Sequence, residues 1–294
     1  MARVFRPKGR LPQEAVRLSF RSIDSLRLVV WLVLGLAGWP AIAAGASLAT
    51  YRAVHDLTLD PTRDSPDVAS VSARLVTEFS GSACAGYATT TRFVTEAVDT
   101  DGNKKVNDSR TVTFETGDGR LDFDNQSYDD GKLDQASRGT AQRSAAGISV
   151  KLTKPEKKTV AFTVEMVFPT EQVTRVLDAA HAGKRFVAFT GYDGLDNGEN
   201  PSPTTVVIGP GSTDPSDVGD ETAIAEAGFA TMEHWPVTIS YFDQAAGADQ
   251  SPNYSMNAIL YDNGIMRQLR LDYGNFALVG KLVQLDVLPE KPCP

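Results

Sequence analysis

The chain has 294 residues, with 29 Lys and Arg against 37 Asp and Glu, for a net charge of −8 at pH 7. Without residues 1–46, which carry seven basic and two acidic side chains, 22 basic residues face 35 acidic ones and the net charge is −13. A surface that negative repels phosphate backbones, and no Lys/Arg cluster offsets it, which excludes nucleic-acid binding. In chain order, Arg3, Arg6, Lys8, Arg10, Arg17, Arg21 and Arg27 precede the apolar run Leu28 to Leu36, the order of a secretory signal. Pro40 breaks that run, and small-x-small sites follow at Ala41-Ile42-Ala43 and Ala44-Gly45-Ala46, so cleavage is expected between residues 44 and 50. The alternative is an uncleaved anchor over Leu26 to Ala49, nearly long enough to span a bilayer; membrane contact is expected only through this segment, and only if it stays uncleaved. The expected organisation is therefore a signal peptide at 1–46 and one domain at 47–294.

From residue 50 on, short alternating segments rich in Val, Thr, Phe and Tyr are punctuated by Gly, Asp, Asn and Pro. That pattern predicts a mostly β, antiparallel protein. Strands are expected at 51–60, 71–79, 84–98, 109–116, 119–126, 131–140, 147–154, 159–166, 184–191, 203–209, 228–243, 254–262, 265–273 and 275–288. One helix interrupts them. Thr170 is its expected N-cap, Val173, Val176, Leu177 and Ala180 form its apolar stripe, and Gly183 ends it. The stretch 209–222, with two prolines, three glycines and three aspartates, reads as a loop or mobile insert. Asp262-Asn263-Gly264 between two alternating runs predicts a hairpin with a type I′ turn.

The chain has two cysteines, Cys84 and Cys293, both in the exported part. An even count in an oxidising compartment reads as one disulfide. It closes a loop of about 210 residues, worth roughly 5 kcal/mol at most in the chain-entropy picture. Cys84 as a nucleophile is the poorer reading: Ser82 stands where a G-x-C-x-G elbow needs glycine, and a strand follows where a helix belongs. His55, His181 and His234 share no ligand spacing with one another or with a cysteine or acid, so neither a metal nor a catalytic role is assigned to them. Two oxygen-rich loops, Asp99/Asp101/Asn103/Asn107/Asp108 and Asp193/Asp196/Asn197/Glu199/Asn200, invite calcium. In the first, glycine falls fourth and Arg110 twelfth, against the EF-hand order, and turn chemistry accounts for both loops. Gly209-Pro210-Gly211-Ser212-Thr213 lacks the lysine of a phosphate loop. No cofactor, catalytic residue or metal site is expected.

Several segments carry a family likeness: YRAVHDLTLD (51–60), EFSGSACAGYATTTRFVT (78–95), KLTKPEK (151–157), FPTEQV (168–173), AGKRF (182–186), TTVVIG (204–209) and the closing stretch at 260–293. Together they resemble the EipB-type cell-envelope integrity proteins, through nearly the whole exported region. The resemblance implies a long antiparallel sheet curled into a spiral or broken barrel with one packed helix, similar to the periplasmic lipoprotein carriers. It also implies a periplasmic location, a Cys84–Cys293 disulfide, a role in withstanding envelope stress and a link to a periplasmic tetratricopeptide-repeat protein, with no enzymatic activity. The expected function is to hold a lipid, lipopeptide or partner segment in the concave face of the sheet. The alternative is an interaction module that binds a partner through an exposed sheet edge.

Overall fold

The computed structural model describes residues 48–243 and 251–290. The expected signal peptide at 1–46, most of the expected cleavage window up to 47, and Cys293 lie outside the described residues. The strands are β1 (Tyr51–Leu59), β2 (Val68–Ser82), β3 (Gly86–Asp99), β4 (Lys104–Thr116), β5 (Arg120–Asp129), β6 (Lys132–Ser144), β7 (Gly147–Lys154) and β8 (Lys158–Phe162). After helix α1 (Pro169–His181) come β9 (Phe186–Gly191), β10 (Ser202–Ile208), β11 (His234–Tyr241), β12 (Tyr254–Tyr261), β13 (Met266–Asp272) and β14 (Ala277–Val287). A helix of five residues, α2 (Thr222–Glu226), precedes β11.

Among the described residues all fourteen strands join one antiparallel sheet in the order β8-β7-β6-β5-β4-β3-β2-β1-β14-β13-β12-β11-β10-β9. The sheet is not closed. The segment after β8 reaches across to the far edge instead, where Val167 pairs with Gly191 at the end of β9 in a single parallel bridge. Two backbone bonds make that bridge, Val167 N–H to Thr190 O at 2.8 Å and Tyr192 N–H to Val167 O at 3.0 Å. This is the broken barrel expected from the resemblance.

The apolar stripe of α1 packs into the sheet: Val176, Leu177 and Ala180 join Leu57, Val71, Phe79, Val206, Trp235 and Leu260 in the main core. A second core gathers Leu121, Phe123, Val150, Leu152, Phe168 and Tyr192 where β5 to β8 meet the α1 entry. Alternation at period two explains why these strands bury one side only.

Thr170 is not the N-cap. Pro169 occupies the first helical turn and Phe168 the capping position without a side-chain bond. The free amides of the first turn go to Glu115 at the end of β4, whose carboxylate accepts from Thr170 N–H at 2.8 Å and Glu171 N–H at 3.2 Å. At the other end Gly183, at φ +67°, supplies the left-handed residue. Gly183 N–H bonds Ala180 O and Lys184 N–H bonds Ala179 O, both at 2.9 Å, a Schellman closure.

Asp262-Asn263-Gly264 does connect β12 to β13, with a different turn from the one expected. Gly264 alone has positive φ, +85°. Gly264 N–H bonds Tyr261 O while Tyr261 N–H bonds Ile265 O, so three residues form the loop and Asn263 spends its side chain accepting from Ile265 N–H. The expected strand 228–243 starts only at His234, because Ala227 to Glu233 is turn and coil after α2. The expected strand 159–166 stops at Phe162 for a related reason: the residues after it leave the ladder to reach β9.

Candidate functional site

Between α1 and the sheet lies a cavity of about 270 Å³. One wall is apolar: Val173 and Val176 of α1, Phe189 of β9, Val206 of β10, Ile239 of β11, Met256 and Leu260 of β12, and Met266 of β13. The helical spacing of 173 and 176, and the period-two spacing of 256 with 260, put these side chains on the faces that meet. The two methionines are flexible and polarisable, which suits a wall that has to follow the shape of an occupant.

The opposite wall is made by four threonines. Thr89 and Thr91 sit on β3, Thr111 and Thr113 on β4, and the register pairs Thr91 with Thr111 and Thr89 with Thr113. Pro169, Gln172, Asp193, Leu195 and Tyr241 complete the lining. Burial pushes the Tyr241 hydroxyl up to about 12, so it is a neutral group at any physiological pH. Tyr241 begins a file of rings through Tyr254 and Tyr273 to Phe276, with centroids 5.5, 5.1 and 4.9 Å apart. The ends of β11 to β14 are thereby edged with aromatics.

A larger, open groove of about 850 Å³ runs over β4 to β7 between Phe114, Arg120, Asp122, Arg138 and Lys151. It is the weaker candidate because four of its five charged lining side chains already answer one another: Arg120 pairs with Asp122 at 2.9 Å and Arg138 with Asp124 at 3.5 Å, which leaves Lys151 over.

The three histidines are not brought together. His55 is buried in β1 with Nε2 3.1 Å from Met266 O, and burial lowers its pKa. His181 closes α1 against Asp262 at 2.7 Å and meets Trp235 edge-on. His234 lies 3.3 Å from Asp217, whose carboxylate also accepts from the Ser212 hydroxyl at 2.5 Å. The order is serine, aspartate, histidine. A general base has to touch the hydroxyl it activates, and here the imidazole does not.

The acidic loops are folded by their own side chains. Asp99 accepts from the amides of Asp101 and Asn103 and from Asn103 Nδ2, at 2.8 to 2.9 Å. Asp108 is held between Arg92 and Arg110, which keep its carboxyl well below the usual range. Asp193 accepts from Leu195 N–H, and Glu199 pairs with Lys158. Among the described residues no three metal-ligating side chains come together. Cys84 sits in the exposed turn between β2 and β3, beside Ser82 Oγ at 3.3 Å. Among the described residues no helix is long and apolar enough to cross a membrane.

This fold has relatives. The EipB-like family matches residues 42–289. A cell envelope integrity protein EipB of Brucella abortus (strain 2308) is 38% identical over 259 residues, covering 88% of this chain and 91% of the relative. The chain belongs to the EipB-like family. A solved β-barrel-like protein of a domain of unknown function, also from Brucella abortus, has the same fold at a TM-score of 0.76 and 36% identity. The match covers 83% of this chain and 100% of that one. The β-barrel-like description of the solved neighbour agrees with the curled fourteen-stranded sheet of this EipB-like chain. The threonine wall and the Glu115 cap were missed from the sequence, although the i, i+2 spacing at 89/91 and 111/113 signals one shared face.

Proposed function

We propose that this protein is a non-catalytic component of the cell envelope that works in the periplasm and holds an acyl chain between α1 and the curved sheet. The observation that carries the reading is the cavity itself. A helix packed into a broken barrel normally leaves little space, since protein interiors are filled to crystal-like density. Here a partly open cavity of about 270 Å³ runs along an apolar wall containing two methionines. A concave, largely apolar space with a few polar side chains is the form a site for a hydrocarbon chain takes. The name of the 38%-identical relative, a cell envelope integrity protein, points to the same compartment, as do the basic leader with its apolar run and the Cys84–Cys293 pairing expected of an oxidising space.

Protein purified from the periplasm without detergent, extracted with organic solvent and examined by mass spectrometry should release an acyl species. Extracts without one, together with no binding of an apolar dye to the extracted protein, would overturn the reading.

A second reading is favoured by β9, the last strand of the sheet. Phe186 at its start and its register partner Val207 on β10 are both exposed, at 57% and 52%. An apolar edge of this kind accepts a strand from a partner, and the periplasmic tetratricopeptide-repeat protein is the partner we would test. Phe186→Lys should abolish its co-purification if that edge is the contact.

A further inference from the structure

The threonine wall is hard to reconcile with a plain hydrocarbon occupant. Among the described residues, none of the hydroxyls of Thr89, Thr91, Thr111 and Thr113 has a hydrogen-bond partner, although the backbone around them is fully paired. Thr113 is 5% exposed, the other three are half-buried, and all four line the cavity. A saturated chain lying against all four would leave them dry, which opposes binding.

The chain's interior continues the same chemistry one step along the strands. A smaller pocket of about 160 Å³ is lined by Ser109, Asn125, Ser127, Gln135 and Ser137, and Leu195 lines both it and the main cavity. Ser109 lies two residues from Thr111, on the same face of β4. Asn125 is buried and its Oδ1 has no partner. Every side chain of this pocket is uncharged, and neither Lys nor Arg lines it or the cavity. Asp193 is the one charged side chain in the pair of linings, and it is an acid. Phosphate and carboxylate head groups are bound by Arg, Lys or helix N-termini. Here the N-terminus of α1 is already occupied by the Glu115 carboxylate.

We propose that the ligand is an acyl lipid with an uncharged, hydroxyl-bearing head group, such as a glycerol or sugar ester. Its chain lies on the Met256/Met266 wall, and its hydroxyls meet Thr91, Thr111, Ser109 and Asn125. Anionic lipids of the same chain length are excluded by the missing cations and by Asp193. This inference rests on the acyl-holding reading above.

The test uses the extracted, mature protein with N-phenyl-1-naphthylamine as a neutral apolar probe. Displacement is measured with 1-monomyristoylglycerol and with 1-myristoyl lysophosphatidic acid, both below their micelle points. The two share chain and ester and differ in one phosphate. The monoglyceride should displace the dye at a concentration about tenfold lower. In the Thr91→Val, Thr111→Val double variant, which keeps the branched shape and loses two hydroxyls, the dye should still bind and the ratio should fall towards one. Thr91→Ser, which keeps the hydroxyl and loses only the methyl, should keep the preference. Dye binding with equal or reversed displacement in the wild-type protein would overturn the head-group inference and leave the acyl reading standing. Failure of the dye and both lipids to bind would overturn both. The wild-type ratio decides even if the double variant does not fold.

Discussion

Glu115 is the residue whose position says most about how the helix is held inside the sheet. It sits at the end of β4, 54 residues before Pro169, and accepts the first-turn amides that a local cap would otherwise take. Burial is the largest influence on its carboxyl and raises its pKa above the ordinary 4.5, against the lowering by the two amides and by the Thr170 side chain. For an acid shifted upward on folding, the charged form is the disfavoured one in the folded protein. Its ionisation therefore lowers stability as pH rises from about 4.5 through the folded pKa, and has no effect below that window. Glu115→Gln keeps an acceptor without the charge. Urea unfolding at a series of pH values should show wild type losing stability relative to Glu115→Gln across that window, and a flat difference would contradict the assignment. Glu115→Ala removes the acceptor and should lose about 1–2 kcal/mol throughout. Sequence reasoning placed the cap on Thr170 because it looks only at neighbours. A cap delivered from a strand leaves no mark near the helix.

At the scale of elements, the insert around α2 shows how a segment read as loop becomes part of the core. Ala223 and Ile224 of α2 pack with Val218, Ala53, Tyr261, Ile265 and Leu282. Glu221 enters the seam where the β13–β14 ladder ends at Leu269 and Gly280. There its carboxylate accepts from Gln268 N–H at 3.1 Å and Leu282 N–H at 2.7 Å, and meets Arg267 at 3.0 Å. Both side chains of that pair are 1% exposed. Arg267 also donates to Tyr261 Oη and to Asp217 O. A shift of register between Asn257 and Ile259, with Gln268 at φ +50°, lets Met266 and Leu269 both reach the main core while Arg267 turns to Glu221. Arg267→Leu strands a buried carboxylate and should cost about 3–5 kcal/mol in urea unfolding, whereas Arg267→Leu with Glu221→Gln should recover much of it. Limited proteolysis of the single variant should cut first within 209–232. In α1, Leu177→Ala at a fully buried site should cost about 2–5 kcal/mol. Strands were legible because alternation over six or more residues is a strong signal. A five-residue helix and a bulge carry too little periodicity to register, and Glu221 looked like one more acid in an acidic turn.

At the scale of the whole molecule, composition and alternation disclosed an antiparallel β protein, while the open, curled arrangement came from the family likeness alone. Nothing in fourteen local patterns says that β1 lies beside β14, since that pairing joins residues more than two hundred positions apart. The candidate cavity was equally hidden, being made by seven strands and a helix whose contributions are individually ordinary. The Cys84–Cys293 pairing belongs to this scale as well. Denatured, non-reduced protein should show no reactive thiol on titration, and two would contradict the pairing. Cys84→Ser with Cys293→Ser should fold with a lower melting temperature and an unfolding free energy reduced by less than the roughly 5 kcal/mol of the chain-entropy bound. The intact mass of periplasmic protein should correspond to a start between residues 44 and 50, and a full-length mass would point to an anchored form.

The position of β1 has a consequence for how the molecule comes into being. β1 pairs with β2 on one side and with β14 on the other, so the first strand made and the last strand made are neighbours in the middle of the sheet. A chain that emerges N-terminus first can zip β1 through β8 in sequence, each strand finding its partner in the one just formed. It can likewise assemble β9 through β14. The inner side of β1 stays an unpaired edge until Ala277–Val287 is present, whatever else has folded. Until then the protein is two half-sheets, each with an open edge able to pair with a neighbouring molecule. Its vulnerable period is therefore set by the time needed to deliver its final strand, and truncations near the C-terminus should be removed or aggregate more readily than equally short truncations of any surface loop.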